Sequence, residues 1–117
     1  MKKQVKENEN IKVERYTIEG YLVKELYYKD GKGKFLNGGM IDRIEVERPS
    51  KKYMPEIYVN TNLLKDDGLE IIDITIQTTS WGSLPISEIK EVTKGYQKAC
   101  RVVSKLQEIY KPYIVES

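Results

Sequence analysis

The chain has 117 residues, with 20 Lys+Arg against 18 Asp+Glu, a net charge of +2, no histidine and a single cysteine, Cys100. Without histidine there is no Ser-His-Asp triad, no imidazole acid–base chemistry and no His-ligated zinc, and one cysteine cannot make an internal disulfide, a CxxC pair or a four-cysteine zinc site. What remains is a domain-sized chain, 39% apolar and 32% charged, long enough to bury a core and far less basic than a duplex-DNA binder.

Residues 1–10 are polar and aperiodic, so a flexible tail is expected ahead of a single α+β domain spanning 11–117. No apolar stretch follows the first lysines, and no window nears 18 apolar residues. Neither a secretory signal nor a membrane span is therefore expected. Single-cysteine usage fits a reducing cytosol, and a cytoplasmic location is expected.

Glu19-Gly20 separates runs 11–18 and 21–29, and Asp30-Gly31 and Asn37-Gly38 are strong two-residue hairpin signals. Ile44 and Val46 alternate with Arg43, Glu45 and Glu47. Pro49 and Pro55 bracket a loop, and Asp67-Gly68 separates runs 57–64 and 69–78. In the last run Ile72, Ile74 and Ile76 alternate with Asp73, Thr75 and Gln77, the period of a half-buried strand. Short connections imply a five- or six-stranded antiparallel meander over 11–78. The nine tyrosines suit a half-buried sheet.

After Trp81-Gly82-Ser83 the period changes. Ile89, Val92, Tyr96, Ala99, Val103, Leu106 and Tyr110 are spaced 3, 4, 3, 4, 3, 4, which predicts one amphipathic helix over about 86–111, packed on one face of the sheet. Ser87 is the expected N-cap, Pro112 the stop, and Gly95 a weak point of about 1 kcal/mol. Cys100, at the margin of the apolar stripe, is expected to pack in the core.

Two surfaces follow. A helix of that length runs roughly 37 Å, whereas strands of five to eight residues span about 17–27 Å. The helix should therefore overhang its sheet, and the stripe through Val103, Leu106 and Tyr110 would need cover from a second copy or another protein. Trp81, flanked by hydroxyl residues, reads as either an interface anchor or a lid on the core. On the opposite azimuth Lys90, Lys94, Lys98, Arg101 and Lys105 form a cationic row that could track phosphates, or simply a solvated face. The glycine-rich tip holds Lys32, Lys34 and Phe35, which could grip a single strand by charge and stacking, or merely accompany tight turns. Asp66, Asp67, Glu70 and Asp73 are the densest acids, and the Asp66-Asp67-Gly68 tip is read most simply as a hairpin turn. No nucleophile, metal or cofactor motif is recognised, so no enzyme activity, metal or cofactor is expected.

A multistranded antiparallel sheet followed by one long helix resembles, across residues 11–111, the topology of the single-stranded DNA-binding domains of the transcriptional positive-cofactor and Whirly families. The Trp81–Val92 passage is similar to the strand-to-helix junction of the positive-cofactor group. That resemblance implies a single-stranded nucleic-acid binder. The Lys-, Glu-, Ile- and Tyr-rich vocabulary is similar to that of small phage and mobile-element proteins, which implies an accessory or inhibitor role. The residues themselves favour a non-catalytic, self-associating protein-interaction module, with nucleic-acid binding as the alternative.

Overall fold

A computed structural model describes residues 2–64, 68–79 and 81–115. Among these residues six antiparallel strands precede one helix. They are β1 (Gln4–Glu7), β2 (Ile11–Ile18), β3 (Tyr21–Tyr28), β4 (Arg43–Glu47), β5 (Ile57–Leu64), β6 (Gly68–Ile76) and α1 (Ile86–Ile109), with a final 3-10 turn at Lys111–Tyr113. The fold is α+β, as the alternating pattern requires. Its strands pair in chain order but as two ladders, β1-β2-β3-β4 and β5-β6.

Local chemistry explains the β2–β3 hairpin. Glu19 and Gly20 both adopt positive φ, at 46° and 89°, the two-residue turn whose twist matches its flanking strands. On β3, Tyr21, Val23, Glu25 and Tyr27 share one parity and are all buried. They face the helix side together with Tyr16 and Ile18 of β2. Between β3 and β4 the chain makes a loop whose Lys29↔Phe35 bridge closes over Asp30. The Asp30 carboxylate accepts the backbone N–H groups of Lys32 (2.7 Å) and Lys34 (3.1 Å). Asn37-Gly38 forms a turn closed by Met40 N–H on the Asn37 carbonyl at 3.1 Å. The expected Asp67-Gly68 turn falls on Asp67, outside the described residues, as does Asp66.

Several expectations are corrected. The polar segment 1–10 is not all tail, because Gln4–Glu7 pairs with the edge of β2, from Gln4↔Arg15 to Glu7↔Lys12. Every residue of β1 is exposed, so no burial pattern announces it; backbone pairing alone makes the strand. Between β5 and β6 the register shifts at Asn60 and Thr61 of β5, whose β6 partners are Asp73 and Ile71. The skipped Ile72 is a bulge, 49% exposed, while Ile71 is fully buried. Strict alternation holds only from Ile74 onward.

The helix starts at Ile86 with Pro85, not Ser87, as its N-cap. The Pro85 carbonyl accepts the N–H groups of Glu88 and Ile89, both at 3.0 Å. Its buried line is Gly95, Ala99, Val102 and Leu106, continued by Tyr110. That line is rotated from the apolar spacing, so Ile89 stands 49% exposed. Cys100 is also exposed rather than core-packed, since it sits about 120° around the helix from Leu106.

Gly95 is where a backbone crosses the helix. The loop between β4 and β5 brings the Tyr53 carbonyl onto it, with the carbonyl carbon 3.1 Å from where a Cβ would lie. The expected weak point is thus a contact that only glycine allows. Beyond the helix, Ile114 bridges Ile71 in parallel and Val115 donates its N–H to the Ile71 carbonyl at 2.9 Å, covering the free edge of β6.

Candidate binding face and the buried carboxylate cluster

The crossing loop carries most of the candidate face. Tyr53 holds a left-handed φ of 67°, costly for a bulky side chain, and that turn sets its carbonyl against Gly95. Its ring lies edge-on to Trp81 with centroids 4.9 Å apart, and Lys52 Nζ stands over the same ring at 4.9 Å. Arg48 donates to the Met54 carbonyl at 3.2 Å, and Lys52 pairs with Glu88 at 3.4 Å. Arg48, Pro49, Ser50, Lys51, Lys52, Tyr53 and Trp81 together line an open cleft of about 470 Å³. Trp81 is 38% exposed. At the same end of the molecule the first helical turns present Ile86 (75% exposed) and Ile89. The overhang expected at Leu106 and Tyr110 is absent; the exposed large apolar residues of the helix, Ile86 and Ile89, are at its start.

The sequence-expected interface divides accordingly. Trp81 is available. Leu106 and Tyr110, 0% and 1% exposed, belong to the chain's own core and Val103 packs half-buried against it. The sheet and the final turn cover the stripe expected to need a partner.

The cationic row survives in part. Lys90, Lys94, Arg101 and Lys105 are exposed and Lys98 is half-buried. Arg101, however, makes a bidentate pair with Glu19 (3.0–3.2 Å), and Lys94 pairs with Glu91 at 3.5 Å. The Arg101 guanidinium holds the Glu19 carboxyl below its usual range. At the glycine-rich tip Lys32 and Lys34 are exposed, but Phe35 is not free to stack. It packs on Tyr27, and Lys12 and Lys29 lie over its ring.

A further hollow of about 500 Å³ lies between β4 and β5, where the ladder breaks. Its charged rim is largely self-neutralised by the Arg43–Glu45 pair.

One constellation was not anticipated. Glu14 and Glu25 face each other across β2 and β3. Glu25 is 2% exposed and accepts hydrogen bonds from Tyr110 Oη (2.5 Å), Tyr27 Oη (3.3 Å) and Lys3 Nζ (2.9 Å). Tyr27 Oη also reaches Glu14 at 2.9 Å, and the Tyr16 and Tyr110 hydroxyls bond each other. The sequence did carry a signal, since Glu25 falls on the same strand parity as Tyr21, Val23 and Tyr27. Burial tends to raise the Glu14 carboxyl, but the Tyr27 hydroxyl, Lys12 and Lys3 bring it below its usual range.

Burial pushes the Tyr16 and Tyr21 phenols up to about 12. Tyr27 and Tyr110 are raised further, by burial and by the carboxylates they bond. A phenol raised in the fold favours folding below its unfolded pKa near 10, and that contribution disappears as pH climbs through the folded value. The fold should therefore be stable to about pH 10 and unfold cooperatively above it, tyrosinate absorbance and loss of circular dichroism rising together. Tyrosines that titrate freely near 10, with the fold intact, would contradict the cluster.

Among the described residues no group of three metal-ligating side chains occurs, and no helix is long and apolar enough to cross a membrane. No family model, curated protein or solved structure matches the chain.

Proposed function

We propose that this chain is a non-catalytic protein-binding module that docks an acidic protein segment at the start of α1. The observation that carries this reading is the exposed Trp81 in a cleft walled by Arg48, Lys51 and Lys52, with Ile86 and Ile89 exposed at the same end. Trp and Arg beside apolar surface are the residue types that anchor protein interfaces. Glu88 is the one carboxylate in contact with these cations among the described residues, so the charge favours an acidic partner. A second copy is the competing occupant. A twofold pairing would set Arg48, Lys51 and Lys52 of the two copies against each other, which disfavours it.

The test is capture from host extract after nuclease treatment, using wild type beside Trp81→Ala and Lys51→Glu/Lys52→Glu variants of unchanged circular dichroism. Trp81→Ala should weaken capture of a specific protein about 30-fold, the effect of about 2 kcal/mol at a hot spot. Equal capture by all three proteins would refute the reading.

The single-stranded nucleic-acid reading rests on the same cations and the exposed indole, with Lys90, Lys94 and Lys105 extending the track. Trp81 is the sole tryptophan, so its quenching by an oligonucleotide at low salt, lost steeply with added salt, would favour nucleic acid over protein.

A further inference from the structure

Lys3 occupies the mouth of the buried carboxylate cluster as a ligand would. Its ammonium donates to Glu25 Oε1 at 2.9 Å, stands 3.8 Å from Glu14 Oε2, and lies 5.6 Å from the centroid of the Tyr16 ring. Two carboxylates and an aromatic face are the elements that recognise a primary ammonium, by hydrogen bonding, charge and cation–π attraction. The depth is unequal. The Glu25 side chain is 2% exposed and that of Lys3 42%, so the acid is built into the core while the cation reaches it from solvent. Among the described residues Lys3 is the only cation paired with Glu25, whereas Glu14 also has Lys12 at 3.6 Å. The element that follows Lys3 is held by one ladder and by the Glu7–Lys29 ion pair. All four residues of β1 are exposed and it pairs along one edge only, which places it among the segments that open at low free-energy cost.

We propose that Glu14, Glu25 and Tyr16 form a binding site for a primary alkylammonium group, filled in the resting chain by its own Lys3. Tyr110 completes the site by donating its hydroxyl to Glu25 and Tyr27 by donating its own to Glu14, which keeps both carboxylates in place when the cation leaves. An incoming lysine side chain or alkylamine competes with Lys3 for this site. The site is separate from the face at Trp81 and stands independently of the function proposed for it.

Chemical rescue tests this in the full chain. Lys3→Ala should lower the melting temperature. Added n-propylammonium chloride should restore it saturably, relative to sodium chloride at equal ionic strength. Wild type, with its site filled, should show a much smaller shift, and Lys3→Ala/Glu25→Gln none. Tetramethylammonium, which has no N–H to donate, should not rescue. If Lys3→Ala fails to fold in sodium chloride, refolding in n-propylammonium chloride and not in tetramethylammonium chloride reads the same rescue. Equal shifts in wild type and variant, no shift in either, or equal rescue by tetramethylammonium would each overturn the assignment.

Discussion

Gly95→Ala should destabilise the protein by about 2 kcal/mol, lowering the melting temperature by roughly 8 °C in a chain of this size. Helix propensity alone predicts the opposite sign, a gain of about 1 kcal/mol for alanine over glycine in a helix interior. Sterics win here because the new methyl would overlap the Tyr53 carbonyl oxygen, a backbone atom that cannot rotate aside. Relief requires the loop carrying Tyr53 to move as a unit, and Tyr53 already holds a left-handed φ. Gln97→Ala, at an exposed site on the same helix, is the control and should change stability by less than about 0.5 kcal/mol. A second readout separates the mechanism from generic destabilisation. Because the Tyr53 ring packs on Trp81, Gly95→Ala should alter Trp81 emission well below the melting transition, and Gln97→Ala should not. A Gly95→Ala protein as stable as wild type would mean that the loop does not cross the helix there.

That contact also shows which parts of the molecule were legible beforehand. Strands β2 to β6 and the helix were readable because Glu19-Gly20, the proline-bracketed loop and the two hydrophobic periods are local signals. Gly95 was misread because a search for apolar side chains treats glycine as a defect, whereas here its missing side chain is the packing surface. β1 was invisible for a related reason: Gln4-Val5-Lys6-Glu7 buries nothing and is a strand only because β2 offers an unpaired edge. The bulge at Ile72 depends on how β6 registers with β5, a tertiary fact. For the candidate sites, Trp81 stood out from its polar neighbours, and Glu25 could have been found from its parity. Nothing local, however, puts Arg48, Lys51 and Lys52 beside Trp81, or Lys3 beside Glu25. Both arrangements form only when distant segments meet.

The same reasoning separates the two ends of the helix by experiment. Leu106→Glu should abolish folding, whereas Ile89→Glu should leave stability within about 0.5 kcal/mol. Leu106 is 0% exposed within the main core cluster, where truncation to alanine alone costs about 2–5 kcal/mol. A carboxylate there adds the cost of burying an unpaired charge. Together these consume a net stability that for ordinary domains is about 5–15 kcal/mol. Circular dichroism of Leu106→Glu should therefore resemble an unfolded chain, and Leu106→Ala should fold with a lowered melting temperature. Ile89 is 49% exposed, so its charged variant should keep the wild-type spectrum and melting curve and lose only what docks at the start of α1. A folded, fully stable Leu106→Glu would return that residue to the surface and revive the interface read from the heptad-like spacing. A folded Ile89→Glu with unimpaired partner capture would instead confine the docking surface to the Trp81 cleft.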